Sequence, residues 1–157
     1  MPPTSRVTSP RSVSREARVE RTEDLRAAIL WGLGVGVLQA ASPLGFWWLD
    51  PATVYAIGLA LIASVYIGFA VADGRWRVIA IESGVAMAFV VIAAAGITGS
   101  AWLLALGFAG HGLKDAWQQR RQYVSGTRWW PPFCAAVDLV VALVIGIEIV
   151  AGIHFQP

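Results

Sequence analysis

Long apolar runs separated by short polar connections dominate this chain, and the pattern predicts helices that cross a membrane. A helix of about 20 apolar residues is long enough to span a hydrocarbon layer about 30 Å thick. The runs lie at about residues 25–45, 52–71, 76–97, 100–117 and 132–154. The sequence therefore predicts an all-α bundle of five transmembrane helices that occupies residues 25–157.

The residues before the first apolar run have a different composition. Residues 1–24 are rich in Ser, Thr, Pro and Arg. Such a segment buries too little apolar surface to offset the entropy of ordering. We therefore predict that residues 1–24 form a disordered cytoplasmic tail.

The basic residues fall on one side of the predicted bundle. Positive charge is retained in cytoplasmic connections. The twelve basic residues lie before or at the start of the first run, around the start of the third, or at or after the end of the fourth: Arg6, Arg11, Arg15, Arg18, Arg21, Arg26, Arg75, Arg77, Lys114, Arg120, Arg121 and Arg128. This distribution predicts a multi-pass protein of the cell (plasma or inner) membrane, with its N-terminus inside and its C-terminus outside.

The composition of the chain indicates which surroundings and binding partners to expect. Apolar residues make up 57% of the chain and charged residues only 14%, whereas a soluble domain carries about 25% charged residues. Membrane lipids are the expected surroundings, and a net charge of +2 gives no indication of nucleic-acid binding. The sequence predicts no cofactor. The single cysteine, Cys134, excludes an internal disulfide.

A few ionisable residues lie inside the predicted spans, where they are costly and mark candidate sites. At 1.5 Å per residue, Glu82, His111 and Asp138 each fall within about 6–9 Å of the cytoplasmic boundary. Asp115 lies closer to that boundary and shares a helix face with His111, because the two are four residues apart. Tyr66 falls at a comparable depth. The sequence thus predicts one polar layer contributed by four helices.

Three chemical interpretations of this layer stay open. In the first, Glu82 and Asp138 form a catalytic acid–base pair, assisted by His111, which Asp115 orients. In the second, one histidine and several carboxylates bind a divalent metal, although no paired-histidine spacing accompanies them. In the third, the groups form interhelical contacts with a structural role.

Three motifs carry a resemblance to a known group of proteins. They are YIGFAVADGR at 66–75 followed by Glu82, HGLKD at 111–115, and WWPPFC at 129–134 followed by Asp138. Over residues 50–140 the chain resembles a family of small, uncharacterised bacterial multi-pass membrane proteins. It is more loosely similar to integral-membrane terpene cyclases, and that likeness implies that Glu82 and Asp138 are an essential carboxylate pair.

These observations lead to one functional hypothesis and two alternatives. The hypothesis is a cytoplasm-facing intramembrane pocket that binds an amphipathic or isoprenoid-like small molecule and performs acid–base catalysis. The alternatives are a small transporter that works as a homo-oligomer, and a non-catalytic membrane assembly subunit. Gly32 and Gly36, in G-x-x-x-G spacing on the first span, favour the assembly subunit.

Overall fold

The described part of the chain, residues 10–152 of a computed structural model, consists of helices and short connections. The helices are α1 (Pro10–Ala40), α2 (Ser42–Gly45), α3 (Pro51–Asp73), α4 (Trp76–Thr98), α5 (Trp102–Arg121) and α6 (Trp130–Val150). No strand occurs within these residues. The all-α prediction is therefore confirmed for the part of the chain that is described.

Three of these helices are long and apolar enough to cross a membrane. They are α3, α4 and α6, each with 21 to 23 residues. Many large apolar side chains on the bundle surface are exposed, including Leu61, Met87 and Leu143. An exposed apolar surface of this kind is suited to lipid.

Four of the predicted helices coincide with observed ones to within a few residues, and the first does not. Helix α1 begins at Pro10, so residues 10–24, which the composition predicted to be disordered, are helical. Proline suits the first position of a helix, and neither Pro nor Gly follows it before Gly32. Nothing therefore interrupts the helix before the apolar segment. Residues 1–9 and 153–157, including His154, lie outside the described part of the chain.

The end of the first predicted span also differs. Helix α1 stops at Ala40, and the chain turns before α2. Pro43 lies in α2 and cannot donate the backbone hydrogen bond that a continuing helix requires. The hydroxyl of Ser42 donates to the carbonyl of Gln39 at 2.6 Å, which satisfies one terminal carbonyl.

Helix α5 lies at the centre of the bundle. It packs against α6 on one side and against α4 and α3 on the other, while α1 packs along α6. Helices α3 and α4 form an antiparallel pair joined by a tight turn, in which Gly74 adopts a left-handed conformation with φ of 79°. Helices α3, α4 and α6 thus contact α5, and α1 contacts α6. Residues on α5 therefore form the centre of the core.

Small residues allow α1 and α6 to approach closely. A Cβ atom at Gly32 would overlap the carbonyl oxygen of Phe133, and one at Gly36 would lie 2.9 Å from Cβ of Val140. Gly34, between them, meets nothing within 4 Å. The G-x-x-x-G face therefore serves packing inside this chain.

The core contains two apolar clusters. The larger cluster includes Tyr55, Leu59, Leu104, Phe108 and Ile145 and lies toward the start of α3 and α5. The smaller cluster, at the opposite end, consists of Tyr66, Ala70, Val78 and Val124. Buried polar residues of α4, α5 and α6 lie between these clusters.

Polar contacts fix both ends of α3. Asp50 caps its N-terminus, because its carboxylate accepts hydrogen bonds from the backbone N–H of Thr53 at 2.9 Å and from the Thr53 hydroxyl. Burial raises the pKa of the Asp50 carboxyl, but the bonds from Thr53 outweigh burial and leave the pKa below its usual value.

The other end of α3 is tied to the connection between α5 and α6. Asp73 accepts a hydrogen bond from the N–H of Ser125 at 2.9 Å, and Arg75 donates to Asp73 and to the carbonyl of Tyr123. Hydrogen bonding to the Asp73 carboxylate raises the pKa of the Arg75 guanidinium. This clasp, made by residues 73, 75, 123 and 125, joins two connections at the same end of the bundle.

We predict that alanine at Gly32 or Gly36 destabilises the bundle, because the added methyl group has no room and overpacking costs about 1–3 kcal/mol. Gly34→Ala is the matched control on the same helix. It should leave stability unchanged or raise it by up to about 1 kcal/mol, since alanine favours a helix over glycine. Thermal unfolding of the three variants in mild detergent checks this, and equal melting temperatures would contradict the packing described for α1 and α6.

Candidate functional site

One face of α5 carries three buried polar side chains. His111, Asp115 and Gln118 are each fully buried. Their spacing of four and three residues places them on successive turns of one helix face. Gly107 and Phe108 precede them on the same side and belong to the apolar core. The polar layer is therefore an interruption of an otherwise apolar stripe.

Asp138 of α6 meets this face directly. Nδ1 of His111 lies 2.8 Å from Oδ2 of Asp138 and 3.5 Å from Oδ2 of Asp115. All three side chains are fully buried. One imidazole nitrogen thus faces two carboxylates, one from its own helix and one from its neighbour.

A glycine makes this approach between helices feasible. A Cβ atom at Gly112 would lie 3.2 Å from Cβ of Asp138 and 3.5 Å from the carbonyl oxygen of Ala135. The separation from Cβ of Asp138 is shorter than an ordinary van der Waals contact between carbon atoms. Gly112 therefore sets how closely α6 can bring Asp138 to His111.

Helix α4 contributes the third carboxylate. Oε2 of Glu82 lies 2.8 Å from Nζ of Lys114, and Oε1 accepts a hydrogen bond of 2.6 Å from the amide of Gln118. Glu82 is almost completely buried and Lys114 is 14% exposed. The charge of Glu82 is thus balanced by one cation that reaches the edge of the site.

Aromatic rings connect the Glu82–Lys114 pair to the group formed by His111 and the two aspartates. Nζ of Lys114 lies 3.4 Å from the centroid of the Tyr66 ring, close enough for a cation–π interaction. The Tyr66 ring also meets the His111 ring edge-on at 6.1 Å between centroids. Phe89 of α4 covers another side of His111 at 5.0 Å. The layer therefore extends from Glu82 through Lys114 and Tyr66 to His111 and the two aspartates.

Several atoms in this layer lack a hydrogen-bond partner among the described residues. They are Nε2 of His111, Oδ1 of Asp138, Oε1 of Gln118 and one oxygen of Asp115, whose other oxygen lies beside the Tyr66 hydroxyl. A buried polar atom without a partner costs about 1–3 kcal/mol. So many in one place distinguish this layer from an ordinary interhelical contact.

The structure brings together all four residues that the sequence marked as catalytic candidates. Glu82, His111, Asp115 and Asp138 come from three helices and are each at most 2% exposed. Their assignment to catalytic roles stays a prediction. Cys134 is buried in the same region, one turn before Asp138.

Two members of the layer were not among those candidates. Gln118 lies seven residues after His111, and this helical spacing could have identified it. Lys114, which the sequence placed among the basic residues of the cytoplasmic side, forms an ion pair with Glu82. Glu148 lies apart from the layer, near the other end of α6, where the Tyr55 hydroxyl donates to it at 3.3 Å.

No protein family, curated protein or solved structure was found to match the chain.

We predict that Lys114 and Glu82 are energetically coupled. Lys114→Met alone leaves a buried carboxylate without its cation, which costs about 3–5 kcal/mol. Adding Glu82→Gln removes that charge, so the double variant should recover at least about 1 kcal/mol relative to additivity. Chemical denaturation in mixed micelles measures the free energy of unfolding of the wild type, the two single variants and the double variant.

A matched cycle with Glu148→Gln in place of Glu82→Gln should be additive, because Glu148 lies at the opposite end of the bundle. Additivity in both cycles would show that the 2.8 Å ion pair contributes nothing to stability.

Proposed function

We propose that the chain crosses the cell membrane five times, with its N-terminus in the cytoplasm and its C-terminus outside. Three helices satisfy the length and hydropathy that a span requires. Helix α5 is interrupted by the polar layer, and α1 begins in a polar segment. Both pack along apolar helices of the same bundle, which supports counting them as further spans.

The proposed topology can be tested with two isosteric variants. Ser100 lies exposed between α4 and α5, and Ser125 lies exposed between α5 and α6. The native Cys134 is buried, so it contributes little background to labelling. We expect Ser100→Cys to react with a membrane-impermeant maleimide in intact cells and Ser125→Cys to react only after permeabilisation. Labelling of both from the same side would rule out the proposed arrangement.

For the activity, we propose that the buried layer is an acid–base site for an amphipathic small molecule that enters from the cytoplasmic side. The observation that carries this proposal is the convergence of Glu82, His111, Asp115 and Asp138 between two apolar clusters. Such groups are expensive to bury in a membrane protein and usually mark a functional site. The unpartnered atoms among them supply free donors and acceptors for a ligand.

Each residue has a distinct part in this proposal. Asp138 and Glu82 are the acid–base pair, and His111 assists them through its contact with Asp138, while Asp115 on the same Nδ1 side orients the imidazole. Lys114 is the member of the layer that reaches the surface, so it marks the side from which a polar head group would enter.

The alternative of an assembly subunit loses the feature that favoured it. Gly32 and Gly36 are covered by α6 of the same chain and are therefore not available to a second protein. A transporter that works as a homo-oligomer gains no specific support from the described residues. The acid–base site is the function that the geometry supports best.

The proposal predicts that a specific lipid or other amphipathic molecule is retained when the protein is purified in mild detergent. Native mass spectrometry should detect it on the wild-type chain. Glu82→Gln and Asp138→Asn should retain the molecule but convert it at least about 100-fold more slowly, the usual contribution of a general acid or base.

Glu148→Gln is the control, because it changes a carboxylate of α6 about ten residues beyond Asp138. It should behave as wild type in both measurements. The proposal fails if no molecule is retained, or if conversion is unaffected in both site variants.

A further inference from the structure

The balance of charge within the polar layer suggests a ligand. Glu82 and Lys114 form a 2.8 Å ion pair and balance each other. Among the described residues, His111 is the basic group within ion-pair distance of Asp115 and Asp138. One imidazole cannot balance two ionised carboxylates, and unpaired charge is strongly unfavourable in a buried site, so both aspartates could be ionised together only beside a further cation.

The positions of the donor atoms agree with a single bound ion. One nitrogen of His111 and one oxygen from each aspartate all lie within 4.8 Å of one another. Donor atoms around a tetrahedral metal with bonds of about 2.1 Å are separated by about 3.4 Å. Small side-chain rotations would therefore bring the three donors to bonding distance.

The unpartnered oxygens are a second and independent observation. Oδ1 of Asp138 is buried without a hydrogen-bond donor among the described residues, and the Tyr66 hydroxyl beside Asp115 can serve only one of the two Asp115 oxygens. A structural ion pair would be expected to satisfy these lone pairs. Oxygens held ready in this way are typical of ligands to a cation.

From these observations we propose that His111, Asp115 and Asp138 bind one divalent transition-metal ion. One imidazole nitrogen and two carboxylates favour an ion such as Mn²⁺, Fe²⁺ or Zn²⁺ over Ca²⁺, which takes oxygen ligands. The charge of the ion offsets both aspartates. His111 coordinates through Nδ1, the nitrogen that faces both carboxylates.

Three protein ligands leave coordination positions open. Sites of this composition commonly bind water or a substrate oxygen at the free position. This part of the inference rests on the proposed function: the polar head group of the amphipathic molecule would bind the ion, Asp138 would then serve as a ligand, and Glu82 beside Lys114 would remain the acid–base group. An anionic head group, which the two aspartates alone would repel, becomes acceptable once the ion is present.

The test uses the full chain in mild detergent after dialysis against a chelator. Isothermal titration with Mn²⁺ and Zn²⁺ should give about one saturable site per chain, with release of protons if the ligands were protonated beforehand. Visible absorption of added Co²⁺ should report coordination by nitrogen and oxygen. Asp115→Asn and His111→Ala should weaken the affinity more than about 100-fold, whereas Glu148→Gln should not.

Folding of each variant is checked by circular dichroism and gel filtration. If His111→Ala fails to fold, Asp115→Asn and Asp138→Glu supply the comparison, since the latter keeps the charge but displaces it by one methylene. Absence of a saturable site in the wild type, or unchanged affinity in the folded ligand variants, overturns the proposal.

The two proposals fail separately. An ion bound without any retained amphipathic molecule would support the metal site and reject the pocket. A retained molecule without a saturable ion site would leave the acid–base proposal standing and reject the metal.

Discussion

The cost of burying two aspartates beside one histidine governs the structure of this protein. Asp138 and Asp115 both approach Nδ1 of His111 in a fully buried layer. In such surroundings an ion pair has to recover a large desolvation penalty. The neighbouring residues make this burial possible. Gly112 lets α6 approach α5, and Phe89 and Tyr66 pack against the His111 ring. Lys114 balances the charge of Glu82.

The layered core separates stability from chemistry. Apolar packing toward the start of α5 and at the opposite end of the bundle holds the helices. The polar layer between them then need not supply much of the stability, which matters because polar contacts between spans contribute only about 0.6 kcal/mol on average. The residues of the layer can therefore be selected for binding or proton transfer, while the surrounding apolar residues maintain the fold.

Much of this arrangement could be predicted from the sequence, and the reasons are simple. Apolar run lengths located α3 to α6 because each helix is bounded by strong signals, such as Asp50–Pro51 and Asp73–Gly74. Counting residues from those boundaries placed Glu82, His111 and Asp138 at one depth. Composition failed at residues 10–24, where an uninterrupted run of helix-forming residues extends α1. The inward turn of Lys114 was also missed, because depth along a helix does not reveal which neighbour a side chain faces.

The glycines of this bundle mark the places where helices pack closely, which exposed leucines and valines do not. Gly112 allows α6 to reach His111, and Gly32 and Gly36 seat α1 on the other side of α6. Leucine and valine can exchange freely on a lipid-facing surface, so they diverge quickly among distant proteins. A pattern of closely packed small residues spaced around a histidine and two aspartates would be a more durable signature for recognising remote homologues of this architecture.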